Sequence, residues 1–202
     1  AQGWNMIGSV SSPVAIGSVV QQPGGILSSN YFGYNGAYII ADSLHPMQGY
    51  WVKANVPGRI LVSSSVALPS ATFVLPVAPR ALSAFTFEDR AGFKRTLYID
   101  ELGSASGSFD LPPSAPEGAF DVRFASDTYL ASYRGLGRQE FPITLHSISY
   151  PVTVTWSLVP DHPHYALTTS SMTEELNLSG TLTLEQAAER ITLVAGATEP
   201  ST

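Results

Sequence analysis

Three adjacent pairs of carboxylates, Glu88-Asp89, Asp100-Glu101 and Glu174-Glu175, are the first candidates for chemistry in this sequence. Two acids catalyse together when both face one substrate. Neighbours on a strand point to opposite faces, so none of these pairs is an acid–base couple by itself. They read as polar strand ends. Asp161-His162-Pro163-His164 is the one cluster with metal-ligand character. In an extended chain its two imidazoles share a face and would suit zinc or copper, with a third ligand drawn from Asp161, His45 or His146. The alternative is a polar hairpin tip between strands at Trp156 and Tyr165, and no metal is assigned. Gly103-Ser104-Ala105-Ser106-Gly107 has the spacing of a nucleophile elbow, but alanine stands where the nucleophile should be. Cysteine is absent, which removes thiolate nucleophiles, thiolate metal sites and disulfides. Arg134-Gly135-Leu136-Gly137-Arg138 is a basic loop too small for nucleic acid. Asp121 and Arg123, two apart on a strand, share a face and should pair with a modest surface effect. No catalytic, cofactor-binding or metal-ligating residue is assigned, and no enzymatic activity is expected.

The elements that would carry these residues are strands. Val152, Val154, Trp156 and Leu158 alternate with Thr153, Thr155 and Ser157, and Phe141, Ile143 and Leu145 alternate with Pro142, Thr144 and His146. That period of two marks half-buried strands. Shorter alternating runs occur at 85–87, 97–99, 120–124, 181–184 and 191–194. Toward the N-terminus the candidates are 4–8, 15–20, 26–34, 37–41, 49–54 and 59–63. Asn35-Gly36 between aromatic strands predicts a hairpin. The one helical hint, residues 184–190, is short enough to be a single turn. Leu111-Pro112-Pro113-Ser114-Ala115-Pro116 predicts a rigid polyproline loop. In Gly49-Tyr50-Trp51 the two rings fall on opposite faces, and Trp51 is expected in the core, opposite Trp4. The fold class is all-β, two antiparallel β-sandwich-like modules.

Charge divides the chain. Only 13% of the 202 residues are charged, with a net charge of −6. Residues 1–41 have no charged residue, and residues 1–78 hold only Asp42, Lys53 and Arg59. Residues 79–202 hold eight bases and fifteen acids, a balance of −7. The change coincides with an Ala/Pro-rich stretch whose prolines fix φ and withhold ladder donors. The expected organisation is an uncharged module over 1–69, a connector over 70–78, a second module over 79–198 and a tail over 199–202. An acidic chain is a poor partner for nucleic acid or anionic lipid. No apolar run reaches the length of a membrane helix.

Gly3-Trp4-Asn5-Met6-Ile7-Gly8-Ser9, Phe32-Gly33-Tyr34-Asn35-Gly36-Ala37-Tyr38 and the run Asp42–Lys53 resemble a module of large bacterial surface proteins exported by type IX secretion. The stretch Leu111–Phe124 extends the likeness, which covers nearly the whole chain. In that family a pair of β modules precedes a C-terminal sorting domain that is removed on export. The family's Asn-Pro-rich sorting motif is missing here, and the sequence stops at Glu199-Pro200-Ser201-Thr202. The resemblance implies an extracellular or cell-surface location and no particular reaction. It also brings in a glycan-attachment pattern, Asp followed by Ser or Thr, which Asp42-Ser43-Leu44 fits and Asp127-Thr128-Tyr129 fits more loosely. Ser43 and Thr128 are the expected attachment points. Asn177-Leu178-Ser179 fits the N-linked acceptor pattern.

The functional expectation is a non-enzymatic extracellular structural or adhesive subunit that self-assembles into a surface fibre. Its partners would be copies of itself or neighbouring surface proteins, and a glycan. The basis is the charge-free opening segment, the low total charge and the lack of an attached catalytic stretch. Strand candidates at 15–20 and 26–34 carry no edge-protecting lysine. The alternatives are a carbohydrate-binding accessory module, using Tyr31, Tyr34, Tyr38 and Tyr50 as a platform, or a spacer of a larger exported enzyme.

Overall fold

A computed structural model describes residues 1–9, 11–63, 82–103, 105, 109–135, 137–147, 149–187 and 190–196. The expected connector over 70–78 and the tail over 199–202 lie outside the described residues. The protein is all-β and divides into two compact units. Among the described residues, the first comprises 1–63 with 109–113, and the second comprises 82–105 with 114–196.

The first unit holds β1 (Gly3–Gly8), β2 (Val14–Ala15), β3 (Val20–Gln22), β4 (Phe32–Tyr34), β5 (Tyr38–Ile40), β6 (Ser43–Leu44), β7 (Gly49–Ala54) and β8 (Arg59–Leu61). Four of them make one antiparallel sheet in the order β1-β7-β4-β5, and β2-β6 and β3-β8 are two-stranded ribbons. Alternation along β7 decides the core: Tyr50, Val52 and Ala54 are buried. Trp51 and Lys53 point the other way. Tyr50 and Val52 pack with Val14, Tyr31 and Leu44. The expectation that Trp51 enters the core opposite Trp4 is thus corrected. Trp51 pairs with Met6 and stays half-exposed, and Trp4 pairs with Lys53. The Tyr50 hydroxyl explains how a polar ring fits the core: it receives the His45 N–H at 2.8 Å and donates to Gln48 Oε1 at 2.9 Å.

The Asn35-Gly36 hairpin forms as expected, joining β4 and β5 with Gly36 at φ 102°. The candidates at 15–20 and 26–34 are shorter than expected. A 3-10 turn at Ile16–Ser18 separates β2 from β3. Only the last three residues of 26–34 form a strand, although Leu27 bridges to Ala54. Residues 109–113 belong to the first unit, rather than to the second module in which they were expected. Lys53 Nζ binds Asp110 Oδ2 at 2.6 Å, the Tyr38 hydroxyl donates to the Pro113 carbonyl at 2.9 Å, and Leu111 is buried.

The second unit holds β9 (Ser83–Asp89), β10 (Lys94–Asp100), β11 (Asp121–Phe124), β12 (Leu130–Ser132), β13 (Gln139–His146), β14 (Val152–Ser157), β15 (Tyr165–Thr169), β16 (Thr173–Leu176), β17 (Ser179–Leu184) and β18 (Ile191–Ala195). They form two five-stranded sheets, β12-β10-β9-β14-β17 and β11-β13-β18-β15-β16. All neighbours are antiparallel except β10 and β12. Phe85 and Phe87 from one sheet and Leu167 and Leu193 from the other are buried, and Phe85 meets Tyr165 edge-on across the sheets at 5.8 Å. That is sandwich packing of inward-facing alternate residues. Trp156 is buried on β14 as its alternation predicts, its Nε1–H donating to the Asn177 carbonyl at 2.9 Å. Residues 185–187 are not helical.

Candidate functional site

The adjacent carboxylates separate as strand geometry requires. Glu88 lies outside and meets Lys94 at 3.3 Å, whereas Asp89 is buried. Asp89 Oδ1 accepts the N–H groups of Ala91 and Phe93, and Oδ2 accepts the Ser147 hydroxyl at 3.1 Å. Asp100, also buried, accepts the N–H groups of Leu102 and Ala105. These acids hold loops. Glu174 and Glu175 are exposed on β16.

Asp161-His162-Pro163-His164 is not a hairpin tip, because β14 and β15 lie in different sheets and the segment crosses between them. His162 stacks on Tyr165 with centroids 5.9 Å apart, and its Nδ1 is 2.6 Å from the Pro163 carbonyl. His164 Nε2 lies 3.1 Å from Glu175 Oε2. Among the described residues no three His, Asp or Glu converge on a cation position. Tyr165 donates to Glu101 Oε1 at 2.8 Å, and burial first, then the Glu101 charge, pushes the phenol above its ordinary range. A phenol held neutral in this way is a donor, not a base.

Asp121 and Arg123 do share a face and do pair, but not at the surface. They are 4% and 2% exposed, with Arg123 Nη2 at 2.6 Å from Asp121 Oδ2 and Nε at 3.2 and 3.1 Å from the two carboxylate oxygens. Asp121 also receives the Ala115 N–H at 3.0 Å, and Arg123 Nη1 reaches Asp127 at 3.2 Å. Alternation alone gave the shared face. Covering of β11 on both sides, which follows from tertiary packing, makes it buried.

The expected attachment residues fall in different units. Ser43 lies on β6, half-buried, its backbone paired with Ala15, and the preceding Asp42 is exposed. Thr128 is half-buried with its hydroxyl 2.8 Å from that of Ser126, next to Asp127 at φ 59°. The exposed Asn177 uses its carbonyl for Trp156. The tyrosine platform is not assembled: Tyr31, Tyr38 and Tyr50 are buried, and only Tyr34 of the four is exposed.

The first unit presents a different feature. β1 and β5 are the two edges of its four-stranded sheet. β1 is six residues long and contains neither charge nor proline, and its Met6 is 62% exposed. Ile39 and Ile40 are exposed on β5, and the cross-strand pair Val20 and Leu61 is exposed on the β3-β8 ribbon. Sheet edges are normally blunted by charge, proline or bulges, since unpaired N–H and C=O groups template another strand. The candidate site is therefore an interface. Among the described residues no helix is long and apolar enough to cross a membrane. Comparison with family models, with curated proteins and with solved structures finds no match.

Proposed function

We propose that the chain is a non-catalytic structural or adhesive subunit, working at the cell surface, that associates with its own copies through the first unit. The observation that carries this reading is the bare edge strand β1, whose exposed positions hold Met6 and no charge. Adding a strand to such an edge satisfies backbone groups and buries apolar side chains without desolvating an ion. The opposite edge, β5, presents Ile39 and Ile40, so β5 of one copy can extend β1 of the next. Joining two unlike edges is a heterologous contact, which grows into a filament unless its rotation closes a ring. A β1-to-β1 contact would stop at a dimer.

Sedimentation and negative-stain microscopy of wild type, Met6→Lys and Ile40→Lys test this. Met6 lies over Gly49, and a lysine stem can cover the same glycine while its ammonium stays in water. Both variants should keep the wild-type melting temperature, and each should leave the chain monomeric. Loss with Met6→Lys alone indicates the closed dimer. A wild-type chain that stays monomeric up to about 0.1 mM refutes self-association, since so weak a contact contributes less than about 5.5 kcal/mol.

A further inference from the structure

Two buried carboxylates of the second unit, Asp121 and Asp89, hold loops that face one cleft. Asp121, clamped by Arg123, takes the Ala115 N–H and so fixes the turn that follows, where the Ala119 N–H bonds the Pro116 carbonyl and Gly118 has φ 86°. Asp89 takes the Ser147 hydroxyl; the Ser147 Oγ takes the Ser149 N–H at 3.1 Å, and the Ser149 carbonyl takes the Arg90 N–H at 3.0 Å. Each loop is thereby tied to a buried carboxylate at a strand end. Burying ions is costly and stabilises a fold poorly, so a pair of such anchors is better explained by what they position.

Between the two loops lies a cleft of about 490 Å³, whose lining includes Ala115, Glu117, Ala119, Leu145, His146 and Tyr150. That volume is in the range of small-molecule sites, and the composition is theirs too: small apolar walls with a few convergent polar groups. Tyr150 supplies an aromatic surface, and burial raises its hydroxyl above the ordinary value, which keeps it a donor at neutral pH. Glu117 is exposed and has no partner among the described residues. We propose that this cleft binds a neutral saccharide. Adjacent sugar hydroxyls can donate together to the Glu117 carboxylate and accept from Tyr150 and His146, while the C–H face of the ring covers Tyr150 and the alanines. An ammonium only donates, so it cannot take the Tyr150 O–H hydrogen, whereas a sugar hydroxyl both donates and accepts. Glu117, in a half of the chain with a balance of −7, disfavours uronate, sulfate and phosphate groups. This site is independent of the association edge of the first unit.

Titration calorimetry of the full chain with cellotetraose, chitotetraose and mannotetraose is the test, with a lysine tetrapeptide as the competing ligand class. At least one saccharide should give a saturable isotherm with Kd of about 1 mM or tighter. Tyr150→Ala should weaken it at least about tenfold and Glu117→Gln several-fold, each at unchanged wild-type unfolding midpoint. Should Tyr150→Ala fail to fold, Glu117→Gln and His146→Ala, both at exposed positions, carry the comparison. Saturable binding of none of the three saccharides overturns the proposal. So does binding unchanged by all variants, or binding of the lysine peptide alone.

Discussion

Replacing Arg123 by methionine keeps most of the aliphatic bulk of the side chain and removes its guanidinium. Asp121 would then lie 4% exposed with the Ala115 N–H at 3.0 Å, having lost the contacts at 2.6, 3.1 and 3.2 Å from Arg123. Were the pair at the surface, the change would cost about 0–1 kcal/mol. Breaking a buried pair costs about 3–5 kcal/mol, because the remaining charge has neither water nor a counter-ion. Urea melts followed by far-ultraviolet circular dichroism should therefore place Arg123→Met about 3–5 kcal/mol below wild type. The second half of the experiment identifies the cause. Arg123→Met combined with Asp121→Leu removes both charges and leaves the Ala115 N–H without its acceptor, a loss of about 1–3 kcal/mol. The double variant should thus be more stable than the single one. A single variant within about 1 kcal/mol of wild type would mean that the pair is solvated. A double variant no better than the single one would mean that the isolated charge is not the source of the loss.

Gly180→Ala tests the packing of Trp156, since a Cβ there would sit 2.8 Å from Trp156 Cε2 and closer still to Cζ2. Overpacking of this kind costs about 1–3 kcal/mol, whereas the same change in an open strand would stabilise by about 0.5–1 kcal/mol; the sign in a urea melt decides. Burial pushes the Tyr31 phenol from 10 up to about 12. Its contribution is complete below pH 10 and is lost as pH rises from there to about 12, because the unfolded chain ionises first. Tyr31→Phe should flatten the decline of stability across that window, and an unchanged slope would refute the assignment.

The sequence was legible where one pattern governs one strand. The alternation at 152–157 placed Trp156 inside and Thr155 outside, and β14 follows it residue for residue. The Asn35-Gly36 hairpin was equally local. Trp51 was misplaced although a signal was present. It shares its face with Lys53, and a lysine two residues away marks that face as the outer one, leaving Tyr50 with Val52 and Ala54 for the core. The role of Asp89 also had a local sign: an acid at a strand end with glycine three residues on is turn chemistry. Residues 109–113 had no such sign. Their place in the first unit depends on Lys53 meeting Asp110 across 57 positions, which no short window contains. Burial of Asp121 and Arg123 likewise needs knowledge of what covers β11.

The two units handle polar groups in opposite ways, and their proposed roles follow from that. With only Asp42, Lys53 and Arg59 up to residue 78, the first has few ions with which to guard a sheet edge. Lys53 is already engaged by Asp110 and lies 5.9 Å from the centroid of the Trp4 ring. β1 is left with backbone groups and Met6, a surface suited to another strand. The second unit has charge in abundance and places part of it inside, where Asp89 and Asp121 tie loops to strand ends. Loops held in this way present a shaped cleft to solvent without needing a ligand to order them, which lowers the entropic cost of binding. Association should therefore respond to substitutions on β1 and β5 and be indifferent to Glu117 and Tyr150, and saccharide binding the reverse.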